Sequence, residues 1–354
     1  MLRVLHLAGS AVSDFHADLS LTYARGCLAA MGDAYESHPA HVSPDGRWRF
    51  PASFDPDVIA AAPALDPPDA LAHLGRLGLD VVLPQMFCLP GMTSYRSLFD
   101  VLGVPVVGNT GEVMAIGARK AAAKAMVAAA GVDVPAGEVL RPGERPTVSP
   151  PAVVKPEDAD NSLGVTLVRE AAEFDAALEA AFAHAGRVIV EEFVPLGREV
   201  RCGLIERATT SGSELVGLPL EEYLLDDATH PVRGYADKLA PGDGGLTLVA
   251  KDNPDVVIVD RDDPLTERVW EVARRAHRAL GCRDYSLFDL RIDPAGRPVF
   301  LEASLYCSFS PASVLAVMAR AGGIGLDELL ATAITSAMGA RPRRTTPPAA
   351  ARRG

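Results

Sequence analysis

FDLRIDPAGRPVFLEAS, running from Phe288 to Ser304, sets two strand-like runs on either side of Asp293-Pro294-Ala295-Gly296. Pro and Gly suit the tight angles of a turn, so the stretch reads as a β-hairpin. With Ile292 facing Arg297, Asp289 lies opposite Phe300. Glu302, two residues further on, then shares its face, because side chains alternate with period 2. Asp289 and Glu302 are thus expected as diagonal neighbours, with Ser304 next on that face as a weak neutral ligand. Two carboxylates so placed repel unless a proton or cation lies between them. Hard oxygen donors favour Mg²⁺, whose remaining positions would take phosphate oxygens. The other reading is an open sheet face on which both acids are solvated.

Working outward, a phosphate-bearing ligand needs a cradle. There is no G-x-x-x-x-G-K-[ST], and no G-x-G-x-x-G follows the first strand. Lys155 ends the apolar run AVVKP, where an ammonium is costly to bury without an anion. Lys120 and Lys124 stand one helical turn apart, a spacing that plain surface charge also produces. The polar stretch EDADNSLGV after Lys155 carries Asn161, Ser162 and Gly164 and can lie over phosphates or serve as an ordinary hairpin loop. RVIVEEFV leads to Glu191 and Glu192, and Glu199 follows in GREV. A carboxylate there can accept from a ribose or an adenine amine, or simply face solvent.

The frame around these pieces is α/β. RVLHL at the start is apolar, as a buried parallel strand is, and runs through Gly9-Ser10 into a helical stretch from Asp18 to Met31. Strands are expected at Asp80–Leu83 and Val104–Val107, a helix at Tyr95–Leu102, and loops from Asp33 to Pro68. Residues 1–116 therefore form a doubly wound α/β domain. Residues 117–190 open with an Ala-rich helix over 117–130 and continue as a small α+β lobe. Residues 191–340 hold the larger antiparallel sheet and the acidic hairpin. Residues 341–354, RPRRTTPPAAARRG, have little to bury and are expected to be disordered.

The bulk numbers fit small-molecule chemistry. The chain has 354 residues, 48% of them hydrophobic, enough to close more than one core. A formal net charge of −12 disfavours nucleic acid and anionic membranes as partners. Five scattered cysteines with no C-x-x-C are expected to be reduced thiols. MLRVLHLAGSAV is too interrupted for a signal peptide and no apolar run reaches the length of a membrane span, so a cytoplasmic location is expected.

Taken in order, RKAAAKAMVAAAGVDVP, VVKPEDADNSLGV, VIVEEFVPLGREV, GYADKL and FDLRID…VFLEAS resemble the ATP-grasp superfamily, and within it the D-alanyl-D-alanine ligases. The resemblance covers about residues 80–335. It implies an ATP- and Mg²⁺-dependent carbon–nitrogen ligase with three domains, two of them clasping ATP, and a homodimer. By the same resemblance Lys120 and Lys155 contact the ATP phosphates under a loop holding Ser162. Glu191 and the backbone of Glu192–Val194 meet adenine, Glu199 holds the ribose, and Lys238 is a lid lysine near the γ-phosphate. Asp289 and Glu302 ligate Mg²⁺.

Departures from that pattern point to a rebuilt acceptor pocket. Glu-x-Asn becomes Glu302-Ala303-Ser304. The arginine that in those ligases precedes the metal aspartate by two is Leu287. The N-terminal His-Gly…Glu-Asp-Gly segment becomes Gln85 to Gly91. PQMFCLPGMTSYRSLFD, GREVRCG, LPLEEYL and LEASLYCSFSP resemble the mycosporine-like amino acid ligases, which join an amino acid to mycosporine-glycine. Arg96, Arg201 and Arg233 are candidates for the amino-acid carboxylate. Ser313 and Tyr306 are candidates for the acceptor side, with Ser313 and Lys238 as catalytic candidates. The alternatives are a D-alanyl-D-alanine ligase or another dipeptide ligase, and a nucleotide-binding regulator that has lost catalysis.

Overall fold

β1 (Arg3–Gly9) is the axis of the N-terminal sheet, pairing in parallel with β2 (Glu36–Val42) on one side and β4 (Val81–Pro84) on the other. The short β3 (Trp48–Arg49) adds an antiparallel edge, giving the order β3-β2-β1-β4. These strands belong to a computed structural model that describes residues 1–158, 162–209, 212–226, 228–229, 231–233, 239–242, 245–248 and 255–339. Asn161, Lys238 and residues 341–354 lie outside the described residues.

α1 (Asp14–Met31) begins at Ser13, whose hydroxyl accepts from the His16 N–H. Gly9 ends β1 at φ +100°, and a Cβ there would lie 2.0 Å from the Val42 carbonyl oxygen, so only glycine fits. α2 (Pro56–Ala61), α3 (Pro67–Leu77), α4 (Leu89–Met92) and α5 (Ser94–Leu102) complete this part. Two expectations fail here. The segment 33–68 is not a run of loops: ESHPAHV forms β2, because pairing along the whole of β1 outweighs its weak strand propensity. Pro39 is tolerated because β3 pairs only with His41 and Val42, leaving the outer side of β2 free at Pro39. Val104–Val107 is not a strand, only a single parallel bridge from Val106 to Val82.

The expected helix over 117–130 is two helices, α6 (Gly111–Gly117) and α7 (Lys120–Ala129). Arg119 between them is extended, at φ −99° and ψ 100°, which makes Lys120 the first residue of α7. β5 (Gly137–Leu140), β6 (Ala152–Pro156), β7 (Thr166–Val168) and β8 (Val188–Glu192) form an antiparallel sheet in the order β5-β8-β6-β7. α8 (Phe174–Phe182) covers it through Phe174, Ala177, Leu178 and Ala181.

The third sheet has the path β14-β11-β9-β15-β16, with β10 also paired to β9. Its strands are β9 (Arg198–Thr209), β10 (Gly212–Gly217), β11 (Glu221–Tyr223), β14 (Val256–Ile258), β15 (Tyr285–Ile292) and β16 (Pro298–Ala303), while β12 (Leu239–Gly242) and β13 (Gly245–Leu248) pair apart from it. α9 (Pro264–Leu280) carries its own start and stop signals: Asp263 caps the Leu265 N–H, Pro264 is the first residue, and Gly281 closes it in the left-handed region. Its stripe Leu265, Val269, Val272, Ala276 and Leu280 packs with Phe288, Leu290 and Phe300 in one core. α10 (Val314–Ala321) and α11 (Leu326–Gly339) bring Leu315, Met318, Leu330 and Ile334 into a second core with Val4, Val81 and Leu83, tying the N-terminal sheet to the third. Among the described residues no helix is long and apolar enough to cross a membrane. All five cysteines are free thiols.

Candidate active site

Alternation along β9 and β15 sorts their side chains onto two faces. Phe288, Leu290, Val200, Cys202 and Leu204 enter the core against α9. The opposite face carries Glu199 and Arg201 from β9 and, in register with them, Arg291 and Asp289 from β15. Leu287 follows on that face opposite Gly203. β15 thus reads as a ruler: Arg291, Asp289 and Leu287 stand about 7 Å apart in succession.

Arg291 donates to Glu199 through Nε at 3.1 Å and through Nη2, and also to the carbonyls of Val194 and Pro231. At the next step Arg201 Nε donates to Asp289 Oδ1 at 2.7 Å, Ser304 Oγ donates to Asp289 Oδ2 at 2.9 Å, and Arg233 Nη1 lies 3.9 Å from Oδ1. Burial opposes the charge on Arg201, but Asp289 and its other anionic neighbours outweigh it and hold its pKa well above the usual value.

The acidic hairpin forms, with Gly296 at φ +81° and its N–H bonded to the Asp293 carbonyl at 2.8 Å. Its register differs from the expected one. Ile292 faces Pro298 and Leu290 faces Phe300, but Asp289 faces Glu302, so Leu301 is an extra residue in β16. Without that bulge Glu302 would pair with Phe288 and point into the core. With it, the two carboxylates are direct partners rather than diagonal neighbours, and Ala303 takes the place opposite Phe288.

One cavity gathers Lys120, Lys155, Ser162, Glu191, Glu192, Val194, Glu199, Arg233, Asp289 and Glu302. Lys120 reaches Glu302 Oε2 at 3.8 Å. Glu191 is buried between two lysines, Lys124 and Lys155, the latter at 2.5 Å. Burial works against its ionisation, yet the lysines hold its pKa below the usual carboxylate range. Desolvation prevails at Lys124 and pulls it to about 7. At Lys155, which feels both Glu191 and Glu302, the acids override desolvation and raise it. Lys124, which its helical spacing alone left as surface charge, is in fact buried.

A recess beside this cavity holds Tyr306, with Ser304, Glu302 and Lys120. Tyr306 packs on Phe87 at 6.2 Å between ring centroids, and Phe87 on Tyr23 at 5.1 Å, so an aromatic wall from α1 and the loop after β4 borders the acidic hairpin.

Two candidates are misplaced by the sequence reading. Arg96 is 2% exposed in α5 and donates to the carbonyls of Val107 and Asn109, so it braces a loop away from the cavity. Ser313 caps α10, accepting from the Ala316 N–H and donating to the Ser308 carbonyl, so its hydroxyl is committed to the fold. Arg291, Tyr223, Tyr23 and Phe87 were missed as contributors. Period 2 from Asp289 would have found Arg291.

Comparison with known proteins agrees with this geometry. Residues 140–238 match the family described as D-ala D-ala ligase C-terminus. The chain is 31% identical over 325 residues to a D-alanine–D-alanine ligase of Nocardia farcinica, spanning 88% of this chain and 83% of that one. The chain belongs to the D-alanine–D-alanine ligase family. As a member it has the ATP-grasp fold and is an ATP-dependent carbon–nitrogen ligase. The D-alanine–D-alanine ligase of Coxiella burnetii superposes with a TM-score of 0.73 at 18% identity, covering 96% of each chain. The Bacillus anthracis D-alanine–D-alanine ligase, solved in complex with ATP, gives 0.70 at 18% identity, over 96% of this chain and 97% of that one.

The residues present fit the cofactors of this ligase family. Asp289, Glu302 and Ser304 offer oxygen donors only, and among the described residues no group of three or more His, Cys, Asp or Glu converges. Mg²⁺ suits such a set, since it takes one or two carboxylates and completes its shell with phosphate oxygens and water. Lys120, Lys155 and Arg233 on the same cavity supply the charge a triphosphate requires.

Proposed function

We propose that this ligase joins a small amino acid, serine, threonine or similar, to mycosporine-glycine, giving an imine such as shinorine or porphyra-334. The observation that carries the reading is Leu287. It stands on the metal face one step beyond Asp289, 5% exposed and packed in an apolar cluster with Cys307 and Phe309. The resemblance puts an arginine there in ligases that activate a carboxylate. An acceptor whose reacting oxygen belongs to a vinylogous amide has no acyl phosphate to steady. The wall of Tyr23, Phe87 and Tyr306 supports a planar ring beside the hairpin.

In this reading the ring oxygen takes up the terminal phosphoryl group, the amino nitrogen attacks the ring carbon, and the C–O bond breaks with its electrons leaving on phosphate. Mg²⁺ offsets phosphate charge when bound. Lys120 and Lys155 hold the phosphates, with Ser162 in the covering loop. Glu191, Glu192 and Val194 line the adenine end and Glu199 the ribose; Lys238, which the resemblance makes a lysine near the γ-phosphate, lies outside the described residues. Asp289 and Glu302, helped by Ser304, hold the metal. Domain divisions near 116 and 190, a cytoplasmic location and a homodimer belong to the same proposal.

The second reading is D-alanyl-D-alanine ligation, favoured by the names of the curated D-alanine–D-alanine ligases, which are 29–31% identical. Incubation with ATP, Mg²⁺, mycosporine-glycine and a pool of amino acids, beside a reaction with D-alanine alone, separates the two by product mass. The proposal expects an imine with red-shifted ultraviolet absorption. D-alanyl-D-alanine with no imine would replace it by the second reading.

A further inference from the structure

Arg201, Arg233 and Arg291 all face the sheet surface that carries Asp289, and they are not equally engaged. Arg291 is bonded through all three of its nitrogens to Glu199 and two carbonyls. Arg201 is in register with Asp289 and already satisfies its Oδ1. Arg233 is 7% exposed, reaches that same oxygen only at 3.9 Å, and its Nε–H meets no acceptor among the described residues. Its guanidinium sits over the Tyr223 ring, 3.3 Å from the centroid, and the Tyr223 hydroxyl is itself tied to Glu221 at 2.5 Å. A buried donor held in place by a braced ring, on a cavity shared with Lys120 and Lys155, is built for an anion that arrives with a ligand.

Position selects which anion. Arg291, bonded to the Val194 carbonyl, marks one level of the ruler along β15. Arg233 marks the Asp289 level, one step nearer Leu287 and the aromatic wall. Any phosphate at that level lies between the base-side residues Glu191–Val194 and the acceptor side. We propose that Arg233 reads the terminal phosphoryl group of ATP, holding its oxygens in the ground state and during transfer. In that step the bond from the γ-phosphorus to the bridging oxygen breaks with its electron pair leaving on ADP. The acceptor oxygen forms the new P–O bond, and Arg233 neither gains nor loses a proton. This rests on ATP occupying the cavity, but not on the identity of the amino acid or acceptor.

The test uses nucleotides alone. Calorimetric titration of the full chain with the ATP analogue AMP-PNP and with ADP, each with Mg²⁺, is compared for wild type, Arg233→Met and Arg233→Lys. Arg233→Met should weaken AMP-PNP by about tenfold or more, the worth of one charge-assisted hydrogen bond, and leave ADP within about twofold. Arg233→Lys should recover part of the loss. Should the Met variant fail to fold, the Lys variant against the same two nucleotides decides, with a smaller loss confined to AMP-PNP. Equal weakening of both nucleotides, or of neither, would overturn the proposal. So would wild type that binds neither, which would also remove the nucleotide site. A failed imine assay with the AMP-PNP difference intact would leave Arg233 as assigned and dismiss only the substrate reading.

Discussion

Asp289 and Glu302 face each other directly across the β15–β16 ladder because Leu301 is one residue too many for the register. Strands obeying simple alternation from the turn would have sent Glu302 into the core with Phe288. One bulge therefore converts an apolar position into the second half of an acidic pair, and Ala303, small enough to pack beside Phe300, takes the core position instead.

The Arg291–Glu199 pair is buried, with side-chain exposures of 4% and 7%, so removing one partner strands the other. Arg291→Met should lower unfolding free energy by about 3–5 kcal/mol, read by urea denaturation. The double variant Arg291→Met/Glu199→Met should lose less than the single one, because no uncompensated charge remains. A single variant within about 1 kcal/mol of wild type would show that the pair does not organise this end of the site.

Ser313 and Arg96 serve the fold, and their variants should behave so. Ser313→Ala removes the α10 cap and should cost about 1 kcal/mol while kcat and KM stay within error. Arg96→Met leaves the Val107 and Asn109 carbonyls without their donor, so it should lower stability without raising KM for the amino acid. A KM effect larger than the stability loss explains would return Arg96 to the substrate site.

Acid should weaken the fold through buried imidazoles. Burial is the chief cause that lowers both His6 and His277 to about 4, and His277 Nδ1 lies 2.8 Å from Ser286 Oγ. Their folded pKa values lie below the unfolded 6.5, so below pH 6.5 the unfolded chain binds more protons than the folded one. Their stabilisation is complete above pH 6.5 and is lost as pH falls toward 4, each at up to about 1.4 kcal/mol per pH unit. Burial lowers His41 to about 4 as well, so denaturation at pH 7, 6, 5 and 4.5 should show the slope of three imidazoles, and His277→Asn should flatten it by roughly a third. An unchanged slope in the variant would refute the assignment for His277.

Much of the site was legible from residue types and order, since Lys120, Lys155, Glu191, Glu199, Asp289 and Glu302 do share one cavity. The reading reached the Asp289–Glu302 pair through a wrong register, because a bulge leaves no mark in composition. β2 was hidden because ESHPAHV owes its strand to β1 rather than to propensity. α9 was readable and unread: Asp263-Pro264 and Gly281 bracket an amphipathic stripe. Arg96 and Ser313 could not be sorted from the sequence, since a guanidinium bracing carbonyls and one holding a carboxylate look alike until the chain is folded. Lys124 differs from a surface lysine only through burial against Glu191, which tertiary packing alone decides.

If ATP-dependent ligation depends on the carboxylates of the bulged hairpin, ADP release must depend on them too. The measurement compares wild type with Asp289→Asn/Glu302→Gln, each with ATP, Mg²⁺, amino acid and acceptor, and with one substrate withheld. Wild type should release ADP only when both substrates are present, and the double variant should be slower by at least about 100-fold. Turnover by the double variant at the wild-type rate would contradict the account.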